Sequence, residues 1–317
     1  MQKRNLTFHF ISLFLIISFF CISNTLAQNN TNNKDCKDQI TTAIDPNLPV
    51  AVTGDEYKEY QEITSQTCSQ TMIEQGLAFI EKNSKSQLCF PLYQNLVTAA
   101  IRLNNPDQAF LIGRKALVDY PEHMLVLTQL GTIASNQMLI GNSKYFGEGQ
   151  RYAYQALALL EANKMPSGYL DNDWNPYKKN LLADIYQSLG VFSLMNGCSL
   201  DAARALTTSI ELSPNQPYTY FLLAKSQVQV YRSGIKTPVN SFLSTTKFTS
   251  LNEQIVDTYA RVSLMTEGEQ HQALRKAIDY DIEMLSQAFP NLKSYLAQSI
   301  ETARNEANAA LATPAAQ

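Results

Sequence analysis

One feature constrains this chain more than any other: a helical motif that returns after 34 residues. Tyr93-x-x-Leu96-Val97 is answered by Leu127-x-x-Leu130-Gly131, so that Leu96 and Leu130 stand 34 residues apart, as do Ala100 and Ala134. Tyr186-x-x-Leu189-Gly190 is answered at the same displacement by Tyr220-x-x-Leu223-Ala224. A unit of that length cannot bury its own apolar face and has to stack on its neighbours. From about Glu56 onward the apolar residues recur at helical spacing and rarely alternate, which predicts an all-α chain.

The second half of each unit agrees. Ala109 and Ala116 precede Pro121, and Ala202 precedes Pro214. Small residues let two antiparallel helices approach closely, and proline ends the second helix because it cannot donate the next backbone bond. Asn105-Pro106-Asp107 reads as an N-cap, an N1 proline and an acidic first turn, and Ser199 ahead of Asp201 reads the same way. Period and residue order together resemble the tetratricopeptide family. That resemblance implies a solenoid of helical hairpins wound into a right-handed superhelix. The stretch Met165 to Gly190, with Trp174, and Val256-Asp257-x-Tyr259-Ala260 also look like a loosely defined group of exported bacterial members of that family, to which no activity is attached.

The array is irregular in its middle, because Leu130 and Leu189 are 59 residues apart, 25 more than one repeat. The excess is expected in loops, part around Gly141 to Gly149 and the rest around Pro166 to Pro176. The chain is thus expected to comprise a leader at 1–27, a flexible linker at 28–53 and an atypical capping hairpin at 54–89. The repeat array follows at 90–230, with insertions near 135–150 and 166–180. Helices at 251–311 and a tail at 312–317 complete it. The three C-terminal helices are predicted at Leu251 to Thr266, Gln270 to Phe289 and Asn291 to Leu311.

The leader reading rests on Lys3 and Arg4 ahead of the apolar run Phe10 to Ile22 and the small or polar residues up to Ala27, the plan of a signal peptide. The run is shorter than the roughly 20 residues a membrane-spanning helix needs. Export to the periplasm or cell exterior is therefore expected, with membrane contact only through an unprocessed leader. An oxidising compartment would permit a bridge from Cys36 to Cys68 or Cys89, or leave Cys36, Cys68, Cys89 and Cys198 as thiols.

The formal net charge of −3 falls to about −5 without the leader's two bases, and no basic stripe is present, which argues against a nucleic-acid partner. Only His123 and His271 remain beyond the leader, each expected in a surface or capping role, and no metal or cofactor motif is found. Asp171-x-Asp173-x-Asn175 starts like a calcium loop, but Pro176 and Leu182 occupy the positions of its glycine and bidentate glutamate. Asp173 is instead expected to cap a helix starting at Asn175, with Trp174 packed against it. Gly147 and Gly149 lack the lysine of a phosphate loop. Glu211, Glu267 and Glu269 form no acid/base pair by spacing, and no enzyme is expected.

The family resemblance implies that first-helix side chains line a binding groove: Gln94, Thr98 and Arg102, then Thr128 and Thr132, then Gln187 and Val191, then Phe221 and Lys225. The Lys and Asn pattern of carboxylate-clamping family members is absent, so the expected occupant is an extended segment of another protein or a glycan. A second reading is a glycan or small ligand held by aromatics of the insertion, above all Tyr145, Phe146, Tyr152 and Trp174, with Tyr154, Tyr169 and Tyr177 nearby. The same aromatics would otherwise seal the core of the irregular repeat.

Overall fold

The structure, a computed structural model, describes residues 54–165, 171–234, 250–289 and 291–312. The leader, the linker with Cys36, Tyr169 and the tail beyond 312 lie outside the described residues. Among the described residues there are twelve α-helices and no strand. In chain order they are α1 Gly54–Thr64, α2 Ser69–Lys82, α3 Cys89–Arg102, α4 Pro106–Asp119, α5 Met124–Leu139 and α6 Phe146–Glu161. Then come α7 Asp171–Met195, α8 Ser199–Leu212, α9 Pro217–Arg232, α10 Leu251–Met265, α11 Gln272–Ala288 and α12 Leu292–Ala312. A 3-10 turn at Glu269–His271 precedes α11.

The helices form two compact units. One comprises 54–137 and 143–188, the other 138–142 and the described residues from 189 onward. In the first unit α1 packs on α2, α2 on α3 and α3 on α4. Leucines of the repeat motif fill gaps that glycine leaves. A Cβ added to Gly76 of α2 would fall 2.5 Å from a methyl of Leu96, and one added to Gly113 of α4 would fall 2.6 Å from a methyl of Leu130. The α5 and α6 pair is closer still, since a Cβ on Gly149 would meet that of Ala134 at 2.0 Å. Gly149 is thus a packing glycine inside α6, as is neither a loop nor a phosphate cradle.

Helices two apart in the chain also approach each other. Gln129 Nε2 of α5 donates to Thr98 Oγ1 of α3 at 2.8 Å, and Ser135 Oγ of α5 lies 3.2 Å from Ser188 Oγ of α7. On the other flank of α6, Tyr186 of α7 donates to Glu161 at 3.1 Å.

In the second unit Gly190 of α7 seats Leu206 of α8 in the same manner, with a Cβ there only 2.6 Å from Leu206 Cγ. Helix α8 packs on α9, α9 on α10, and α10 on both α11 and α12. Tyr259 of α10 is almost wholly buried (1% exposed), and its hydroxyl lies 3.3 Å from the Asp281 carboxylate of α11.

Two local expectations change. Asn105 caps α4 as its side chain accepts from the Gln108 amide at 3.0 Å, with Pro106 in the first turn. At α8, however, Cys198 occupies the N-cap with no side-chain cap bond, while Ser199 inside the helix donates to Gln229 of α9 at 2.7 Å. The second change is larger. The expected loop at 166–180 is mostly helix, because α7 starts at Asp171 and carries Pro176 inside it. Asp173 is therefore a helical residue and not a cap. Pro176 is the sixth residue of α7, past the four amides that lack intrahelical partners, so the helix forgoes one i→i−4 hydrogen bond there.

Candidate functional site

On α3, Gln94, Thr98 and Arg102 follow one another at i, i+4 spacing and so share a face. Gln94 and Thr98 are half-buried and Arg102 is exposed. Thr98 Oγ1 donates to the Gln94 carbonyl at 3.0 Å and accepts from Gln129 of the neighbouring α5. Gln129 and the half-buried Thr132 share a face of α5 at i, i+3 spacing. These five side chains make a polar strip across two helices whose one charge is Arg102. The Gln129 amide is divided in its use. Its nitrogen is committed to Thr98, whereas its oxygen Oε1 is buried and accepts no hydrogen bond.

Motif mapping placed Thr128 in this strip and missed Gln129. Thr128 is buried, and its hydroxyl donates to the Met124 carbonyl at 2.9 Å within its own helix. One residue along a helix rotates the side chain by about 100°, which separates the inward Thr128 from the crossing Gln129. The i, i+3 pair Gln129 and Thr132 was the available signal. Gln187, on α7 of the same unit, is half-buried.

The second unit places the remaining expected groove residues differently. Val191 and Phe221 are buried. Lys225 of α9 forms an ion pair with Asp281 of α11 at 2.8 Å, and its ammonium sits 5.1 Å from the centre of the Phe221 ring. That face of α9 is closed by the C-terminal helices, and its cation already has an anion.

The aromatic group is largely interior. Tyr145 is buried, stacks on Phe110 with ring centres 4.1 Å apart, and its hydroxyl bonds to Asp107, which also pairs with Lys144. Tyr152 is buried and donates to Glu148 at 2.6 Å; Glu148 is held in turn by Arg114 at 2.7 Å, which lowers its carboxyl below the usual range. Trp174 is buried with Tyr177 against its edge. Phe146 is half-buried, and among the described members Tyr154 alone is exposed. The Phe110–Tyr145 stack and the Arg114–Glu148–Tyr152 set join α4 to α6.

His123 is a correction to the surface reading. It is fully buried at the entry to α5, stacked on Phe90 with ring centres 3.9 Å apart and edge-on to Tyr120. Nε2 lies 2.9 Å from the Phe90 carbonyl, which can only accept, so the proton resides on Nε2. Burial pulls its pKa from 6.5 down to about 4. His271 sits half-buried in the turn before α11, as expected of a residue opening that helix.

Cys89 is a buried thiol pointing at the Asn83 carbonyl (3.2 Å), and Cys198 is an exposed one; neither is in a disulfide. Glu267 pairs with Arg304 at 2.7 Å, which ties the turn after α10 to α12. Among the described residues no group of three or more His, Cys, Asp or Glu side chains gathers as a metal site, and no helix is long and apolar enough to cross a membrane. In comparisons with known proteins, no family model matches the chain and no curated protein matches it.

Proposed function

We propose that the chain is an exported tetratricopeptide-type scaffold, a right-handed stack of helical hairpins, which holds an extended segment of another protein and performs no chemistry. The observation that carries this reading is the strip Gln94, Thr98, Arg102, Gln129 and Thr132, joined across α3 and α5 by the Thr98 to Gln129 hydrogen bond. Side-by-side first helices, seen again at Ser135 and Ser188, are what a stack of such hairpins requires. The leucine-on-glycine seats repeat from α2/α3 to α4/α5 in support. An extended peptide offers backbone N–H and C=O groups at regular spacing, which the half-buried Gln94 and Thr132 side chains can meet. Arg102 at the end of the strip suits a carboxylate in the bound segment. The leader expected at 1–27 from Lys3, Arg4 and the apolar run Phe10 to Ile22 suits a protein that works outside the cytoplasm. The reading in which insertion aromatics clasp a glycan or solute has less to stand on, because Tyr145, Tyr152 and Trp174 have their faces in the core.

Selection of a displayed random-peptide library on the full chain tests this. The expected result is a set of peptides sharing a short motif, whose binding weakens at least tenfold in a Gln94→Ala/Thr98→Ala/Gln129→Ala variant of unchanged helix content. Peptides without a common motif, or a motif bound equally by that variant, would remove the strip from consideration.

A further inference from the structure

The second unit contains a concavity that the repeat motif does not explain. Where α9, α10, α11 and α12 meet, Val228, Ile255, Leu285 and Leu292 form a buried apolar floor. Val256 and Phe289 form half-buried walls, and Phe289 is fixed by an edge contact to Tyr231 at 5.4 Å between ring centres. The rim is different in kind. Asn252 and Asn291 are exposed, as are Tyr231 (38%) and Tyr295 (57%), so among the described residues the polar groups of the lining stand at its mouth. The cavity measures about 260 Å³, and among the described residues no acidic, basic or histidine side chain lines it.

Those observations define a ligand chemistry. An apolar floor gains free energy by shedding water onto an apolar body, at roughly 25 cal/mol for each Å² removed from water. Two amides and two phenols at the mouth can both donate to and accept from a neutral polar head. A charged head would find no counter-ion among the described residues and would lose solvation without return. A space of this size takes a body of roughly ten to fifteen non-hydrogen atoms. We propose that this cleft binds a small neutral amphiphile, with its aliphatic or aromatic body on Val228, Ile255, Leu285 and Leu292 and its uncharged head between Asn252 and Asn291. The site is separate from the polar strip of α3 and α5 and does not depend on the scaffold reading.

The test uses the full chain and the dye 1-aminonaphthalene, neutral at pH 8, whose emission shifts to the blue in apolar surroundings. One dye is expected to bind per chain, displaced by 1-octanol, with octanoate at pH 8 at least tenfold weaker as a competitor. Asn252→Trp, which blocks the mouth from an exposed position, and Val256→Trp, which fills the wall, are each expected to weaken uptake at least tenfold. The Gln94→Ala/Thr98→Ala/Gln129→Ala variant is expected to bind dye normally. If Val256→Trp loses its helical circular dichroism, the Asn252→Trp result decides. Absence of dye uptake by the native chain, many dyes per chain, equal displacement by octanoate, or undiminished uptake by folded Asn252→Trp would each overturn the proposal.

Discussion

His123 shows how a single side chain can carry a condition dependence that no motif announces. Its ring is fully buried between Phe90 and Tyr120, and burial holds it neutral down to about pH 4. In the unfolded chain it takes up a proton near pH 6.5. The folded value is the lower of the two, so the contribution to stability is complete above pH 6.5 and is lost as the pH falls toward 4. A gap of that size corresponds to about 3 kcal/mol. Urea midpoints for the native chain are expected to fall across this window more steeply than those of a His123→Phe variant. Parallel curves for the two would show that the imidazole does not titrate differently on folding. Glu148, held down by Arg114, acts in the same direction at lower pH and is common to both proteins. From the sequence His123 read as a surface or capping residue, because it follows Pro121 at a repeat junction; it does directly precede α5, but buried. What the sequence does not display is that Phe90, 33 positions earlier, closes over it.

At the scale of elements, the α9 to α11 contact rests on a partly buried ion pair. Lys225 and Asp281 keep 13% and 15% of their side-chain exposure, lie 2.8 Å apart, and share Asp281 with the buried Tyr259 hydroxyl. Removing one member leaves the other charged and shielded from water, whereas replacing both by apolar side chains leaves nothing to solvate. Asp281→Ala is therefore expected to cost about 2–4 kcal/mol, and Lys225→Met with Asp281→Leu to recover most of that loss. Thermal melts of the three proteins check it, and a double variant no more stable than Asp281→Ala would contradict the argument. Helix boundaries in this region were legible: Leu251–Met265 and Leu292–Ala312 lie within a residue of the sequence reading. The start of α7 was not legible, because Pro166, Gly168 and Pro176 suggest a loop, yet the helix runs through Pro176 at the loss of one backbone hydrogen bond. The binding strip was half legible. Spacing along α3 identifies Gln94, Thr98 and Arg102, but Gln129 depends on how α5 is rotated against α3, and the C-terminal helices that cover Phe221 and Lys225 follow no repeat from which their placement could be read.

Within each unit, the packing among the described residues is mostly between helices adjacent in the chain, as α1 on α2 and α11 on α12, with short steps such as α1 to α3 and α10 to α12. Contacts of small sequence separation close small loops, and helical proteins built from them fold quickly. After dilution from urea, the main recovery of helical signal is expected within about a second, and a dominant phase lasting minutes would be inconsistent with packing this local. The same neighbour-by-neighbour order bears on how the chain can be delivered. Once Gly76 has emerged from a ribosome or a translocation pore, Leu96 needs only the next twenty residues to find its seat. Leu130 stands in the same relation to Gly113, so each hairpin can close on the one before it while the remainder of the chain is still being threaded.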